Sequence, residues 1–575
     1  MPTLTVLDIN YTLDSSGYPI IQLFGANEDN RRVIYRVHGF LPYFYARTDD
    51  PNHLIGEVKN LVLKSEIVPK YLPIGYQTEK TPLVKITVQN PTYVRDLRDE
   101  VKTINGVREV FETDILFKNR FIIDTGIGGM SCLGLPNNTR DIHLDDIKIL
   151  PSGGSYPFRS MSLDIECLLN GTGIPTPDTS PIILISLAFD PPFRNQKSLV
   201  LVAKHMQCNR DDVVICGNEA GVLSRLVGII KEFDPDIITG YNSNLFDIPF
   251  ISERAKKWGV SLDIGRDGST LNISDLPNGN IIRVSGRVIM DLLPIVRKNY
   301  NLKRYNLDTV ASELIHKSKK ELNISDIPKL WTSNGQDLDK LISYARQDAR
   351  ITLDLLLDIG MLEKYVELSK LTGVLLSDII NGDQSSMIET LIMRKFHDND
   401  RVVSPKPQEG EIEEIDLKGA TILEPVRGLI DNMVVLDFKS LYPTIMISHN
   451  LCYTTILPDK NDIPLEDTII TVTGSKFVSP KIFKGLVPAI LHDLLDVRIR
   501  LKSQMKSATG HDAELIDAKQ YALKILLNSI YGYSGYRRSR LFCGEIASSV
   551  TGTGRYNLEM TKRKIEEMSP IDGME

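Results

Sequence analysis

The chain has 575 residues, a formal net charge of −7, 42% hydrophobic and 25% charged residues, which predicts a globular protein of several domains, each with ample core. No apolar run reaches the ~20 residues a membrane helix needs, and Met1 to Asp8 lack the basic-then-apolar pattern of a secretory signal. The six cysteines (132, 167, 208, 216, 452 and 543) form no Cys-x-x-Cys pair, which argues against zinc ribbons and redox motifs and for a reducing cytoplasm.

The acidic total argues against nucleic acid as a partner. Binding needs only local basic stripes, however, and two are present, Arg537-Arg538-Ser539-Arg540 and Lys562-Arg563-Lys564. Short runs of this kind also occur as plain solvated faces.

Residues 1 to about 150 are rich in short alternating runs, and Ile20 to Phe24 and Leu83 to Val88 read as strands. Pro151 to Ser155 reads as a linker. Strands and helices mix from about 156 to 360, ending in a long amphipathic helix from Leu338 to Leu362. Acidic, loop-like sequence runs from about 399 to 417, and an α+β region follows. Within it, Pro488 opens a helix through Lys506. Thr509-Gly510-His511-Asp512 breaks that helix, and a second runs from Ala513 to Tyr531 and stops at Gly532. Together they predict a helical hairpin. A last helix runs through Met568.

Two groups of residues carry chemistry. In Ser162-Leu163-Asp164-Ile165-Glu166, strand geometry puts Asp164 and Glu166 on one side. In the segment from Asp236 to Asp247, a buried strand runs into a Gly turn and offers Asn242 and Asp247. On the long helix, Tyr344 and Asp348 are i,i+4 and share a face. Each pattern alone is common in an acidic chain. In this order they supply four carboxylates, enough to hold two divalent cations ~4 Å apart for an in-line phosphodiester displacement. Mg²⁺ or Mn²⁺ suits such oxygen ligands, and Tyr344 is placed to orient an attacking water.

The second group starts at Val434-Val435-Leu436-Asp437, an apolar strand ending in a carboxylate, followed by Phe438-Lys439-Ser440-Leu441-Tyr442-Pro443. The turn after such a strand offers backbone N–H groups to a triphosphate. The hairpin adds Arg498 and Lys502 on one helix and Lys524, Asn528 and Tyr531 on the other, each set on one face. Facing helices would aim the three cations at one anion, as phosphoryl chemistry requires. Arg498 and Lys502 equally fit a solvated face.

The first group resembles the DnaQ-like 3′→5′ exonuclease domain, whose three motifs match here as Asp164-x-Glu166, Tyr241-Asn242-x-x-x-Phe246-Asp247 and Tyr344-x-x-x-Asp348. The string from Asp437 to Ile445 resembles motif A of family B DNA polymerases, and Lys524 to Gly532 their motif B. The resemblance runs along nearly the whole chain and is strongest to archaeal replicative enzymes. It implies a multidomain α/β and α+β architecture: an N-terminal β-rich domain (1–150, completed by about 361–403), an RNase H-like exonuclease (156–360), a palm with an antiparallel sheet (404–487 and 537–575), and two-helix fingers (488–536).

The resemblance also implies roles. Asp164, Glu166, Asp247 and Asp348 would be exonuclease metal ligands, with Tyr344 catalytic. Asp437 and the Phe438 carbonyl would hold polymerase metal. The Ser440 and Leu441 amides, Arg498, Lys502 and Lys524 would bind the dNTP triphosphate. Tyr442 would select the deoxy sugar, and Asn528 and Tyr531 would line the nascent base pair. Each site would use two Mg²⁺ (or Mn²⁺) ions, with primer-template DNA as partner. Archaeal members also carry a template-uracil pocket, whose pattern is matched by Tyr11, Pro42, Tyr43, Val94 and Phe117; ordinary aromatic core packing explains these residues equally well. The family's Tyr-x-Gly-Gly linker departs here to Leu417-Lys418-Gly419-Ala420.

No Tyr-Gly-Asp-Thr-Asp-like hairpin follows motif B. Asp437 and one carbonyl cannot hold two cations, so synthesis is expected only when a smaller second polypeptide supplies motif C and the thumb, and with them a sliding-clamp contact. An incomplete fragment and a chain joined to its partner by splicing are the rival accounts. A stand-alone exonuclease with an inactive polymerase half, and a non-enzymatic template-binding module, are the rival functions.

Overall fold

The computed structural model describes all residues except 138, 152–155, 170–173, 277–278, 319–325, 334–335, 383, 409, 411–418, 420–426, 430, 432–433 and 569–575. The chain folds into two compact units. One comprises Met1–Thr12, Ile20–Gly39 and Gly128–Gly382; the other comprises Leu13–Pro19, Phe40–Ile127 and Asp383–Glu575. No described helix is long and apolar enough to cross a membrane.

The first unit contains two six-stranded sheets. One is built on Thr3–Leu13, Pro19–Asn27 and Arg32–His38. The other has the order Val213–Ile215, Gln196–Val202, Ile182–Phe193, Ser160–Cys167, Ile237–Gly240, Val288–Asp291. The central strand Ser160–Cys167 runs antiparallel to Ile182–Phe193 and parallel to Ile237–Gly240, which is itself parallel to Val288–Asp291. Successive side chains of a strand face opposite sides. Leu163 and Ile165 therefore join Leu223, Leu226 and Ile230 of the helix Glu219–Phe233 in one core. Asp164 and Glu166 take the other side, where the helix Gln336–Asp358 packs.

That helix carries Tyr344 and Asp348 as expected, but it stops at Asp358 instead of continuing to Leu362. Gly360 adopts φ +65°, a left-handed conformation, and a new helix, Met361–Thr372, begins after it. The expected linker at 151–155 lies, apart from Pro151, outside the described residues.

The second unit holds a four-stranded antiparallel sheet, ordered Lys64–Lys70, Thr81–Thr87, Tyr43–Thr48, Val107–Phe111, and a three-stranded antiparallel sheet of Ile456–Leu457, Lys476–Val478 and Thr468–Ile470. The helical hairpin is present as Leu486–Met505 and Gly510–Gly535. Pro488 sits in the first turn, where its missing N–H costs nothing.

Three expectations in this unit need correction. The second hairpin helix does not stop at Gly532. Just beyond it Tyr533 is 2% exposed and Ser534 0%, and Ser534 Oγ lies 2.7 Å from Tyr453 Oη. That buried anchor holds the helical turn a glycine alone would release. Residues 434–437 do not form a strand: Val434 and Val435 are 79% exposed and Leu436 69%. Strand backbone needs a neighbour to satisfy its N–H and C=O groups, and among the described residues none pairs there. Finally, Arg540 is not part of a surface stripe. Its side chain is 3% exposed and ion-paired to Asp114 at 2.7 Å and Glu389 at 3.0 Å.

Candidate active site

Asp164, Glu166 and Asp348 converge, with one ligand oxygen from each within 4.8 Å of the others. The convergence follows from the local fold. Asp164 pairs with Ser186 and Glu166 with Leu184 in the antiparallel ladder, which sets the strand's register. Ser162, on the same face and fully buried, donates its hydroxyl to the Ala349 carbonyl at 2.6 Å. That bond fastens the strand to the helix one residue from Asp348.

Asp247 is not part of that group. It is 4% exposed, and its Oδ1 accepts the Ile165 N–H at 3.1 Å, bracing the strand between Asp164 and Glu166. Burial holds its carboxyl well above the usual carboxylate range. A divalent cation reverses that preference by favouring the ionised form. The donor set is all carboxylate oxygen, half-buried for Asp164 and Glu166 and buried for Asp348, which fits a hard divalent cation rather than a soft one. Tyr344, one turn before Asp348, is half-buried.

Sequence reasoning missed Asp291. It is 3% exposed and accepts three backbone N–H groups, from Asn242 at 2.8 Å, Asn244 at 3.0 Å and Leu293 at 3.0 Å. It thus caps the helix Leu292–Asn299 and clamps the loop between Tyr241 and Asp247. Asn242 takes φ +66° in that loop, a conformation asparagine tolerates. The available signal was local: an aspartate closing an apolar strand, directly before an apolar helix with Pro294 in its first turn.

In the second unit, motifs A and B meet. The rings of Tyr442 and Tyr531 lie 4.4 Å apart at 44°. Ser440 holds φ +52° before the helix Leu441–Ser448. Arg498 Nε is buried without a hydrogen-bond partner among the described residues, and burial lowers the guanidinium's pKa; a buried unpaired donor of this kind suits an anion. Lys502, Lys524 and Asn528 are exposed, with Lys524 Nζ 5.9 Å from the Tyr521 ring centre. Asp437 and Phe438 are exposed. Among the described residues no group of three metal-capable side chains forms around Asp437. Of the variant linker, Leu417, Lys418 and Ala420 lie outside the described residues, while the Gly419 carbonyl accepts from Arg555 at 2.6 Å.

The uracil-pocket candidates divide between the units. Tyr11 is half-buried in the first unit. In the second, Pro42 is buried. Tyr43 is 7% exposed, with its hydroxyl donating to Asp124 at 2.6 Å and accepting from Arg120 at 3.2 Å. Phe117 packs 5.3 Å from Phe40, and Val94 packs against the core around Phe44 and Leu97.

Comparison with known proteins agrees with this geometry. Residues 374–574 match the model of DNA polymerase family B, and residues 108–310 that of the DNA polymerase family B exonuclease domain. The chain is 30% identical to the DNA polymerase of Thermococcus sp. (strain 9oN-7), over 98% of this chain and 68% of that protein. It is 31% identical to the DNA polymerase delta catalytic subunit of Glycine max, over 98% of this chain and 58% of that protein. The structure of the family B DNA polymerase from Pyrobaculum calidifontis superposes with a TM-score of 0.81 at 27% identity, covering 99% of this chain and 72% of that one. The fold is that of a family B polymerase with an attached exonuclease domain. The chain belongs to DNA polymerase family B and carries that family's exonuclease domain.

Proposed function

We propose that this chain removes nucleotides from the 3′ end of DNA at the Asp164–Glu166–Asp348 site, and that it incorporates dNTPs on a primer-template only when a second polypeptide adds carboxylates and a thumb beside Asp437. The convergence of three carboxylates carries the first half. Divalent cations held there, Mg²⁺ or Mn²⁺ with Asp247 as a further ligand, supply the charge that activates water and stabilises the leaving oxygen. Ser162 and Asp291 fix the frame, and Tyr344 is placed to orient the incoming water.

The second half rests on the exposed run Val434–Leu436 and on Asp437, around which, among the described residues, no group of three metal-capable side chains forms. An unpaired apolar run is the edge that added strands cover. Tyr442, Arg498, Lys524, Asn528 and Tyr531 would then contact the dNTP. A clamp contact would come through the partner.

The test uses a 5′-labelled primer on template with Mg²⁺ and four dNTPs, with and without a C-terminal polymerase fragment from a family member. The chain alone should shorten the primer. EDTA and the pair Asp164→Ala/Glu166→Ala should abolish shortening, and added fragment should convert it to extension. No shortening by the intact chain overturns the first half. Extension without the fragment overturns the second.

A further inference from the structure

In this acidic chain, residues 297–306 read Arg-Lys-Asn-Tyr-Asn-Leu-Lys-Arg-Tyr-Asn: four cations, two tyrosines and no carboxylate. Arg297, Lys298, Lys303 and Arg304 are exposed, and among the described residues none makes an ion pair. Tyr300 and Tyr305 are half-buried between them.

The segment is tied to the exonuclease motif loop at both ends of one helix. At the start of Leu292–Asn299, Asp291 grips the Asn242 and Asn244 amides. Beyond its end, the Tyr305 carbonyl accepts the Tyr241 hydroxyl at 2.7 Å, and Tyr305 Oη donates to the Tyr300 carbonyl at 2.9 Å. Arg297 lies 5.8 Å over the Tyr305 ring. Behind the segment, Lys364 Nζ donates to Asn299 at 2.6 Å, adding a fifth cation. The next helix, Leu307–Ile315, packs on the helix bearing Tyr344 and Asp348. An unpaired cationic strip with interleaved aromatics, rigidly joined to a nuclease loop, has the chemistry of a single-strand rail: cations track phosphates and rings accept bases.

We infer that residues 297–306 bind the single-stranded 3′ end of DNA upstream of the scissile bond, through phosphate contacts of Lys298, Lys303 and Arg304 and base contacts of Tyr300. This rests on the exonuclease reading proposed above. A long strand reaches the rail, whereas a trinucleotide fills only the carboxylate site.

The experiment compares the intact chain, Lys298→Ala/Lys303→Ala/Arg304→Ala, and a control in the same unit, Lys256→Ala/Lys257→Ala, on long oligothymidylate and on a trinucleotide. The triple variant should raise KM for the long strand about tenfold, leave kcat and trinucleotide cleavage unchanged, and flatten the slope of log KM against log salt by about 0.7 for each phosphate that is no longer neutralised. The control should match the intact chain. An unchanged KM and salt slope, or an equal loss on both substrates, overturns the inference. If the intact chain cleaves nothing, the exonuclease reading fails instead. The rail is then tested by fluorescence-anisotropy binding of the labelled long strand, which the triple variant must weaken if the inference holds.

Discussion

Replacing Arg540 by methionine keeps most of the side chain's volume and removes its charge. The guanidinium is 3% exposed and meets Asp114 at 2.7 Å, Glu389 at 3.0 Å and the Ser404 carbonyl at 2.8 Å. Among the described residues Glu389, 9% exposed at its side chain, would keep only the more exposed Lys406 at 3.2 Å and the Tyr533 hydroxyl at 3.4 Å. Removing one partner of a buried ion pair leaves an uncompensated charge and costs about 3–5 kcal/mol, a factor of roughly 10² to 10⁴ in the folding equilibrium. Equilibrium urea unfolding should show that loss.

The pH dependence carries a second signature. Burial raises the Asp114 pKa, but Arg540, together with backbone N–H groups including that of Lys406, holds the carboxyl below its ordinary value. A depressed carboxylate contributes stability above its unfolded pKa of ~3.9 that is lost as pH falls through the folded pKa. Arg540→Met should flatten that acid limb. An unchanged urea midpoint together with weaker DNA binding and a shallower salt slope would refute the reasoning and return Arg540 to the surface stripe.

Two further outcomes are expected. Asp291→Asn replaces an acceptor of three N–H groups by an amide that turns its own N–H₂ towards some of them, at about 1–3 kcal/mol. Single-turnover cleavage of a trinucleotide should slow with little change in KM, because the loop from Asn242 to Asp247 loses its clamp. Lys364 is held down to about 8 by burial and then by Lys298. Between that pH and the ordinary lysine value of ~10.4 the unfolded chain binds the extra proton, so native stability should rise with pH. Lys364→Met should abolish that rise in urea unfolding followed across the window.

What was legible in the sequence was whatever a short stretch decides by itself. The alternation around Asp164 and Glu166 fixes a strand and a face, and the i,i+4 spacing of Tyr344 and Asp348 fixes a helical side; that this strand and helix meet was implied by the order of the motifs and the family resemblance, not by either spacing. Elements whose state depends on distant residues were misjudged. Gly532 reads as a stop until Tyr533 and Ser534 are seen buried against Glu389 and Tyr453. Arg540 reads as one of a basic run, although its partners Asp114 and Glu389 are 426 and 151 positions away. Ser162, 187 positions from Ala349, reads as an ordinary strand serine until the helix arrives.

The run before Asp437 extends the same logic. Its β propensity is high, yet propensity in a strand reflects fit to neighbouring strands rather than backbone preference. Without a neighbour among the described residues, Val434, Val435 and Leu436 stay exposed. In the first unit, by contrast, Asp164, Glu166 and Asp348 are brought together by contacts within that unit. In the second unit Tyr442 and Tyr531 meet, while among the described residues no group of three metal-capable side chains forms around Asp437. If the proposed division of activities holds, one primer-template assay resolves the two halves.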